Sequence, residues 1–172
     1  MNKIQNLRDL LVYELQDLYS AENQLVKALP KVADACQDPK LKQAFTQHLE
    51  QTKNQVTRLE QCFEALGEKH GNEVCNAMQG LIKECDKVLQ DKGKFGPAVF
   101  DAAVISACQR VEHYEMAGYG SARAFCEELG EDQCLRLLQQ TFDEEVAADR
   151  KLSELAVDEI NRKASQQQAT AM

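Results

Sequence analysis

Apolar residues recur along this chain at intervals of three and four, the repeat that places them on one face of an α-helix. Leu7, Leu11, Leu15, Leu18, Leu25 and Leu29 form the first such stripe. Pro30 removes a backbone donor and crowds the preceding turn, yet the spacing resumes at Val32. The pattern therefore predicts a kinked helix from about residue 3 to about residue 36. Asp38-Pro39 has the form of an N-cap followed by proline at the first helical position. A second stripe carries Leu41, Phe45, Val56, Leu59, Phe63 and Leu66, with Gly67 as its C-terminal stop.

Residues 67–97 differ in character. Gly67, Gly71, Gly80, Gly93, Gly96 and Pro97 lie here around one shorter amphipathic piece, Val74–Leu89, which reads as a long crossover with its own short helix. A third long helix is predicted from Pro97 to Leu129, ended by Gly130. Glu131-Asp132 opens a fourth, with Leu135, Leu138, Phe142, Leu152, Leu155 and Ala156 on its stripe. Asn161–Met172, with three consecutive glutamines, is expected to be a polar, frayed tail. The fold class is thus all-α: a ferritin-like four-helix bundle, two helical hairpins joined by a long crossover, in one domain over residues 1–160.

Composition narrows the function classes. The 172 residues carry 20 Lys+Arg against 28 Asp+Glu, a net charge of −8. With a pI near 5.0, the chain lacks the positive charge that holding a phosphate backbone demands, so no nucleic-acid partner is expected. A mean hydropathy of −0.49, and no run near the roughly 18 apolar residues of a membrane span, predict no membrane partner. The N-terminus lacks the apolar core of a signal peptide. Seven cysteines, at positions 36, 62, 75, 85, 108, 126 and 134, show no Cys-x-x-Cys spacing. They read as reduced, structural thiols of a cytoplasmic protein.

The informative positions are polar residues where the period demands apolar ones. Glu22 fills the gap between Leu18 and Leu25, and His48 and Thr52 interrupt the second stripe. The third helix reads Ile105, Gln109, Glu112, Met116, Tyr119, with Glu115 beside Glu112, and the fourth reads Leu138, Phe142, Glu145, Asp149, Leu152. Counting outward from loops at about residue 37 and about residue 130 puts Glu22 level with Thr52, Glu112 with Asp149 and Glu115 with Glu145. The interruptions converge on one patch of core. The stripes offer no lysine or arginine at that height, and Arg123 lies about two turns away.

Buried carboxylates without compensation each cost several kcal/mol or take up a proton. One or two cations would remove the cost, and oxygen-rich ligation with a single imidazole suits iron or manganese better than structural zinc. The expected metal ligands are Glu22, His48, Glu112, Glu115, Glu145 and Asp149, with Tyr19 or Tyr114 hydrogen-bonding nearby. Glu-x-x-His, the usual signature of a four-helix di-iron site, is absent from the chain. In its place stand the i,i+4 pairs His48/Thr52 and Glu145/Asp149. The alternative is a network of hydrogen-bonded, partly protonated acids with no ion. Glu14, Asp17, Glu50 and Glu144 are candidates for supporting or solvent-facing roles, His113 for a surface group or one supporting a ligand, and His70 for a solvated one.

At Asp17-Leu18-Tyr19-Ser20-Ala21-Glu22, His48-Leu49-Glu50-Gln51-Thr52 and Val111-Glu112-His113-Tyr114-Glu115 the chain resembles the YciE/YciF family of ferritin-like bacterial proteins. The resemblance runs from residue 5 to residue 157 and includes Tyr119-Gly120, Leu129-Gly130 and Glu144-Glu145. It implies a four-helix bundle with a central metal site, a tendency to dimerise and an association with stress. Two functions are then open. One is a di-iron carboxylate protein that reacts with peroxide or oxygen, or sequesters iron. The other is a non-catalytic structural or partner-binding stress protein with a vestigial acidic core. The apolar crossover residues Met78, Leu81, Ile82, Val88, Leu89 and Phe95 further suggest surplus surface that a homodimer could bury.

Overall fold

The computed structural model describes residues 3–169, with side chains through Gln166. Its long helices are α1 (Leu7–Ala35), α2 (Pro39–Leu66), α4 (Pro97–Leu129) and α5 (Asp132–Leu155), and the shorter α3 (Asn76–Gln90) lies in the crossover. Among the described residues there is no strand, and no helix is long and apolar enough to cross a membrane. α1 packs on α2 and α4, and α5 closes the square against α2 and α4. This is the two-hairpin bundle that the stripes predict.

Local chemistry sets the boundaries. Asn6 caps α1 by accepting from Asp9 N at 2.9 Å, and Asp38 caps α2 by accepting from Lys40 N at 2.8 Å. Gly67 and Gly130 close α2 and α4 in the left-handed conformation, with φ of 65° and 71°. Pro30 lies on the exposed side of α1, and the helix continues past it for a further turn. Asp101, buried on α4, accepts from the backbone N–H groups of Gln37 at 2.9 Å and Asp38 at 2.7 Å. One carboxylate thereby satisfies two backbone donors, that of Asp38 buried, and ties the first hairpin's turn to the second hairpin.

Residues 161–169, expected as a frayed tail, depart from that expectation: α6 spans Asn161–Ala169. A wider turn at Ala156–Ile160 buries Ile160 against the core, and Lys163 reaches Glu159 at 2.7 Å and Asp38 at 3.2 Å. These contacts anchor a segment whose own polarity gave no reason to order. Residues 170–172 lie outside the described residues. The crossover's apolar residues also find partners within the chain. Met78 is fully buried, and Leu81, Ile82, Val88, Leu89 and Phe95 are half-buried against the same core.

That core is divided. Leu11, Leu15, Leu18, Leu59, Phe63 and Leu138 fill one end of the bundle, and Leu25, Leu29, Leu41, Phe45, Phe100 and Leu152 fill the other. All seven cysteines are free and buried, shared between the two ends as small apolar side chains. Between the apolar ends lies a layer of buried polar residues.

Candidate metal centre

Every long helix contributes to that layer. α1 supplies Glu22, α2 supplies His48, Thr52 and Gln55, α4 supplies Glu112 and Glu115, and α5 supplies Thr141 and Glu145, all of them buried. The i,i+3 spacing of Glu112 and Glu115 turns both carboxylates to the same face of α4. One ligand atom each from His48, Glu112, Glu115 and Glu145 lies within 4.8 Å of the others. His48 Nε2 stands 3.5 Å from Glu112 Oε1 and 3.9 Å from Glu145 Oε2.

The polar atoms here are poorly satisfied. Glu22 Oε2, His48 Nδ1, Gln55 Oε1, Glu112 Oε2, both oxygens of Glu115 and Glu145 Oε2 are buried without a hydrogen-bond partner. Each such atom costs roughly 1–3 kcal/mol, more if charged. Burial accordingly drives the carboxyl groups to hold protons. Desolvation, then the charge of Glu145, raises Glu22 well above the ordinary range. Glu115 is raised in the same way, with Glu22, Glu145 and Glu112 adding to desolvation. Desolvation also raises Glu145, against some relief from His48. Glu112 is pushed up to about 7, mostly by desolvation and partly offset by a hydrogen bond shared with Glu145.

These donors fit a cation. Around an ion with metal–oxygen distances of about 2.1 Å, adjacent ligand atoms sit roughly 3 Å apart and opposite ones roughly 4 Å. A spread of 4.8 Å needs only a slight contraction to reach that shape. Three carboxylates, one imidazole and a further carboxylate beside them suit iron or manganese. A divalent or trivalent ion would satisfy the unpartnered oxygens and displace the protons that burial imposes.

Two of the six expected ligands fall outside this group of four. Glu22 adjoins it and interacts with Glu115 and Glu145, and its Oε1 accepts a hydrogen bond from the Tyr119 hydroxyl. Asp149 sits at the half-buried edge, where it accepts from Gln109 Nε2 at 3.0 Å and lies 3.3 Å from His113 Nε2. Thr52 donates back to the carbonyl of His48 at 2.9 Å, which uses its hydroxyl within α2. The expected tyrosines point elsewhere. Tyr19 donates to Glu60 at the surface and stacks on His70 at 4.6 Å, so that imidazole, though exposed, has a ring partner. Tyr114 donates to Asp17 and lies 3.0 Å from Cys75 Sγ.

Four contributors escaped the sequence reading: the Tyr119 hydroxyl, Gln55, Arg58 and Thr141. Tyr119 was an apolar member of its stripe, and its hydroxyl is what matters. Gln55 donates to Glu145 and, at 3.2 Å, to Glu144. Its signal was available: Thr52, Gln55 and Leu59 keep the three-four spacing better than Val56, which is only half-buried. The expectation of no cation at this height is also corrected. Arg58, one turn from Gln55, holds Glu144 with two bonds of 2.7 Å and Thr141 at 3.1 Å. Arg123 instead lies 4.5 Å over the Phe142 ring.

A family described as a domain of unknown function, DUF892, matches residues 6–165. The chain is 43% identical over 162 residues to protein YciF of Escherichia coli strain K12, covering 94% of this chain and 96% of that one. The crystal structure of the E. coli stress protein YciF superposes with a TM-score of 0.88 at 42% identity, over 92% of this chain and 99% of that one. YcfI of Rhodopseudomonas palustris, described as a candidate structural protein, gives 0.82 at 44% identity, over 88% and 96%. A protein from Xanthomonas campestris pv. campestris gives 0.74 at 19% identity, over 95% and 99%, and shares the fold.

Proposed function

The chain belongs to the DUF892 family, and from that footing we propose that it is a stress-associated, ferritin-like metal protein. On this reading His48, Glu112, Glu115 and Glu145 hold one or two iron ions, with manganese as the other candidate and Glu22 as an adjoining ligand. Bound iron would supply redox chemistry toward peroxide or oxygen, or the protein would hold iron in reserve. The chain's own residues bind the ion, keep bulk water away and, through Tyr119 and Gln55, orient two of the carboxylates. Seven buried free thiols support a reducing compartment such as the cytoplasm.

One observation carries the reading: seven buried polar atoms of this layer, on Glu22, His48, Gln55, Glu112, Glu115 and Glu145, have no hydrogen-bond partner among the described residues. Hydrogen bonding alone leaves them unsatisfied, whereas a cation answers most of them together. Metal analysis of protein purified without oxygen tests it. At least one equivalent of iron or manganese per chain is expected after exposure to both. Less than about half an equivalent in a folded sample overturns the proposal.

A second reading has support in the hydrogen bonds from Tyr119 to Glu22 and from Gln55 to Glu145. These neutral donors, with the protons that burial imposes, let the acids stay buried without an ion, as a structural or partner-binding protein with a vestigial core would. On that reading Glu112→Ala leaves metal content unchanged and stability equal or higher. Loss of metal in Glu112→Ala, with a lower melting temperature in the metal-loaded protein alone, excludes it.

A further inference from the structure

A cavity of about 190 Å³ opens between α2 and α5 and ends on two of the proposed ligands, His48 and Glu112. Its residues form a graded path. Gln47, Ala147 and Lys151 are exposed at the mouth, whereas Phe45 and Leu152 are buried beside the floor. The floor holds two unpartnered buried polar atoms, His48 Nδ1 and Glu112 Oε2. His48 is 6% exposed and Glu112 2% exposed, and both line the cavity's inner end.

Resting on the metal reading above, we propose that this cavity admits and seats hydrogen peroxide. Size comes first: cavities for cofactors and larger ligands run to about 300–1,000 Å³, and this one suits a molecule of a few heavy atoms. Charge comes second. Lys151 at the mouth opposes an incoming cation, and the carboxylates behind Glu112 oppose an anion, so a neutral molecule meets the smallest barrier. Polarity comes third. Gln47 and Gln51 offer amide donors and acceptors on one side, and Ala147, Ala148 and Leu152 offer an apolar wall on the other. A small neutral molecule with both O–H donors and lone pairs can use the amides, which dioxygen cannot. With ferrous iron the reaction balances. Each of two ferrous ions gives one electron, the O–O bond breaks, two protons enter and two waters leave.

A second cavity touches the same two ligands from the α1, α3 and α4 side, but its volume is only about 30 Å³ and Ala28, Cys85 and Cys108 line it. It makes the competing route. The test uses the full chain and three variants: Ala148→Leu within the larger cavity, Ala147→Leu at its exposed mouth, and Ala28→Leu in the smaller one. Iron per chain is measured first, and a value below about half an equivalent in the wild type overturns the metal reading itself. Xenon then probes the metal-free protein, since apolar cavities of about 150 Å³ take it up. Xenon is expected beside Phe45 and Ala148 in the wild type and absent in Ala148→Leu.

Ferrous oxidation by peroxide should slow about tenfold or more in Ala148→Leu, and measurably in Ala147→Leu, at unchanged iron content. Oxidation by dioxygen, run separately, should slow less. An unchanged peroxide rate once xenon is excluded overturns the proposal. So does a fall confined to Ala28→Leu, or an equal fall with both oxidants. Should Ala148→Leu fail to fold, Ala147→Leu carries the same comparison from a solvent-exposed position.

Discussion

The phenol of Tyr119 on α4 donates to Glu22 Oε1 on α1, and this bond sits where the Leu11–Leu18 end of the core meets the carboxylate layer. Both residues are fully buried, and the second oxygen of Glu22 has no partner. Tyr119→Phe keeps the ring and removes the donor. In metal-free protein this should cost about 1–3 kcal/mol, a fall of roughly 2–10 °C in melting temperature. A bound cation that takes up both oxygens of Glu22 should shrink the difference. Thermal unfolding of both forms with and without iron measures it, and an equal loss in the two conditions separates Glu22 from the metal.

Glu115 is the extreme case, since neither of its oxygens has a partner. Desolvation and three neighbouring carboxylates already push its proton on. Glu115→Gln preserves shape and removes the charge that a cation would need. Metal-free Glu115→Gln should melt at the wild-type temperature or slightly above. Metal at about 100 times its wild-type Kd should raise the wild-type melting temperature by roughly 5–10 °C and leave the variant nearly unmoved. Calorimetric melts with and without iron read both effects.

The bundle was legible because its signals are local and repeated. Leu-rich stripes, Asp38-Pro39, Gly67 and Gly130 each act within a turn or two, so boundaries could be read directly. The polar layer was legible for the same reason, as breaks in a period. Asp149 and Tyr119 show where this stops. Helical period gives a residue's face to within a wide arc, and whether Asp149 enters the layer or stays at its edge depends on the packing of α4 against α5. Lys163 and Asp101 act through contacts with distant segments, which no local pattern displays. Of the crossover's apolar residues, Met78 is buried in the chain's own core and the other five are half-buried against it. A dimer of about 38 kDa is the expected assembly, which light scattering tests.

Acidity should act oppositely on the metal-free and metal-loaded proteins. In the unfolded chain these carboxyls lose their protons near 4.5, whereas folded Glu112 keeps its own to about 7 and Glu22, Glu115 and Glu145 are raised as well. Between those values the folded state binds more protons, so stability is full below about 4.5 and falls as pH rises through the folded pKa. Metal-free protein should thus melt several degrees lower at pH 8 than at pH 5. Metal must displace the same protons, so the loaded protein should gain stability over that interval. Parallel curves for the two forms would show that the ion does not engage these carboxyls.

Arg58 links the layer to the surface. Its guanidinium holds Glu144 in two bonds of 2.7 Å, and Gln55 donates to both Glu144 and Glu145, so one positive charge reaches the edge of the cluster. That charge lowers the proton affinity of Glu22, against the larger effect of desolvation. Arg58→Met removes the charge while keeping much of the stem's packing. Glu144, only 20% exposed at its side chain, then loses its charged partner and keeps the amides of Gln55 and Gln140, and the fold should weaken by about 1–3 kcal/mol. Glu22 should meanwhile hold its proton to higher pH, so that metal binding needs a more alkaline solution to reach half-occupancy. Arg58→Lys keeps the charge without the two-pronged geometry, and should restore the pH of half-occupancy more fully than the melting temperature. Metal titrations from pH 5 to 8, beside thermal melts of the three proteins, separate the two effects. If the melting temperature falls and the pH of half-occupancy stays fixed, Arg58 supports the bundle alone and leaves the cluster's proton balance untouched.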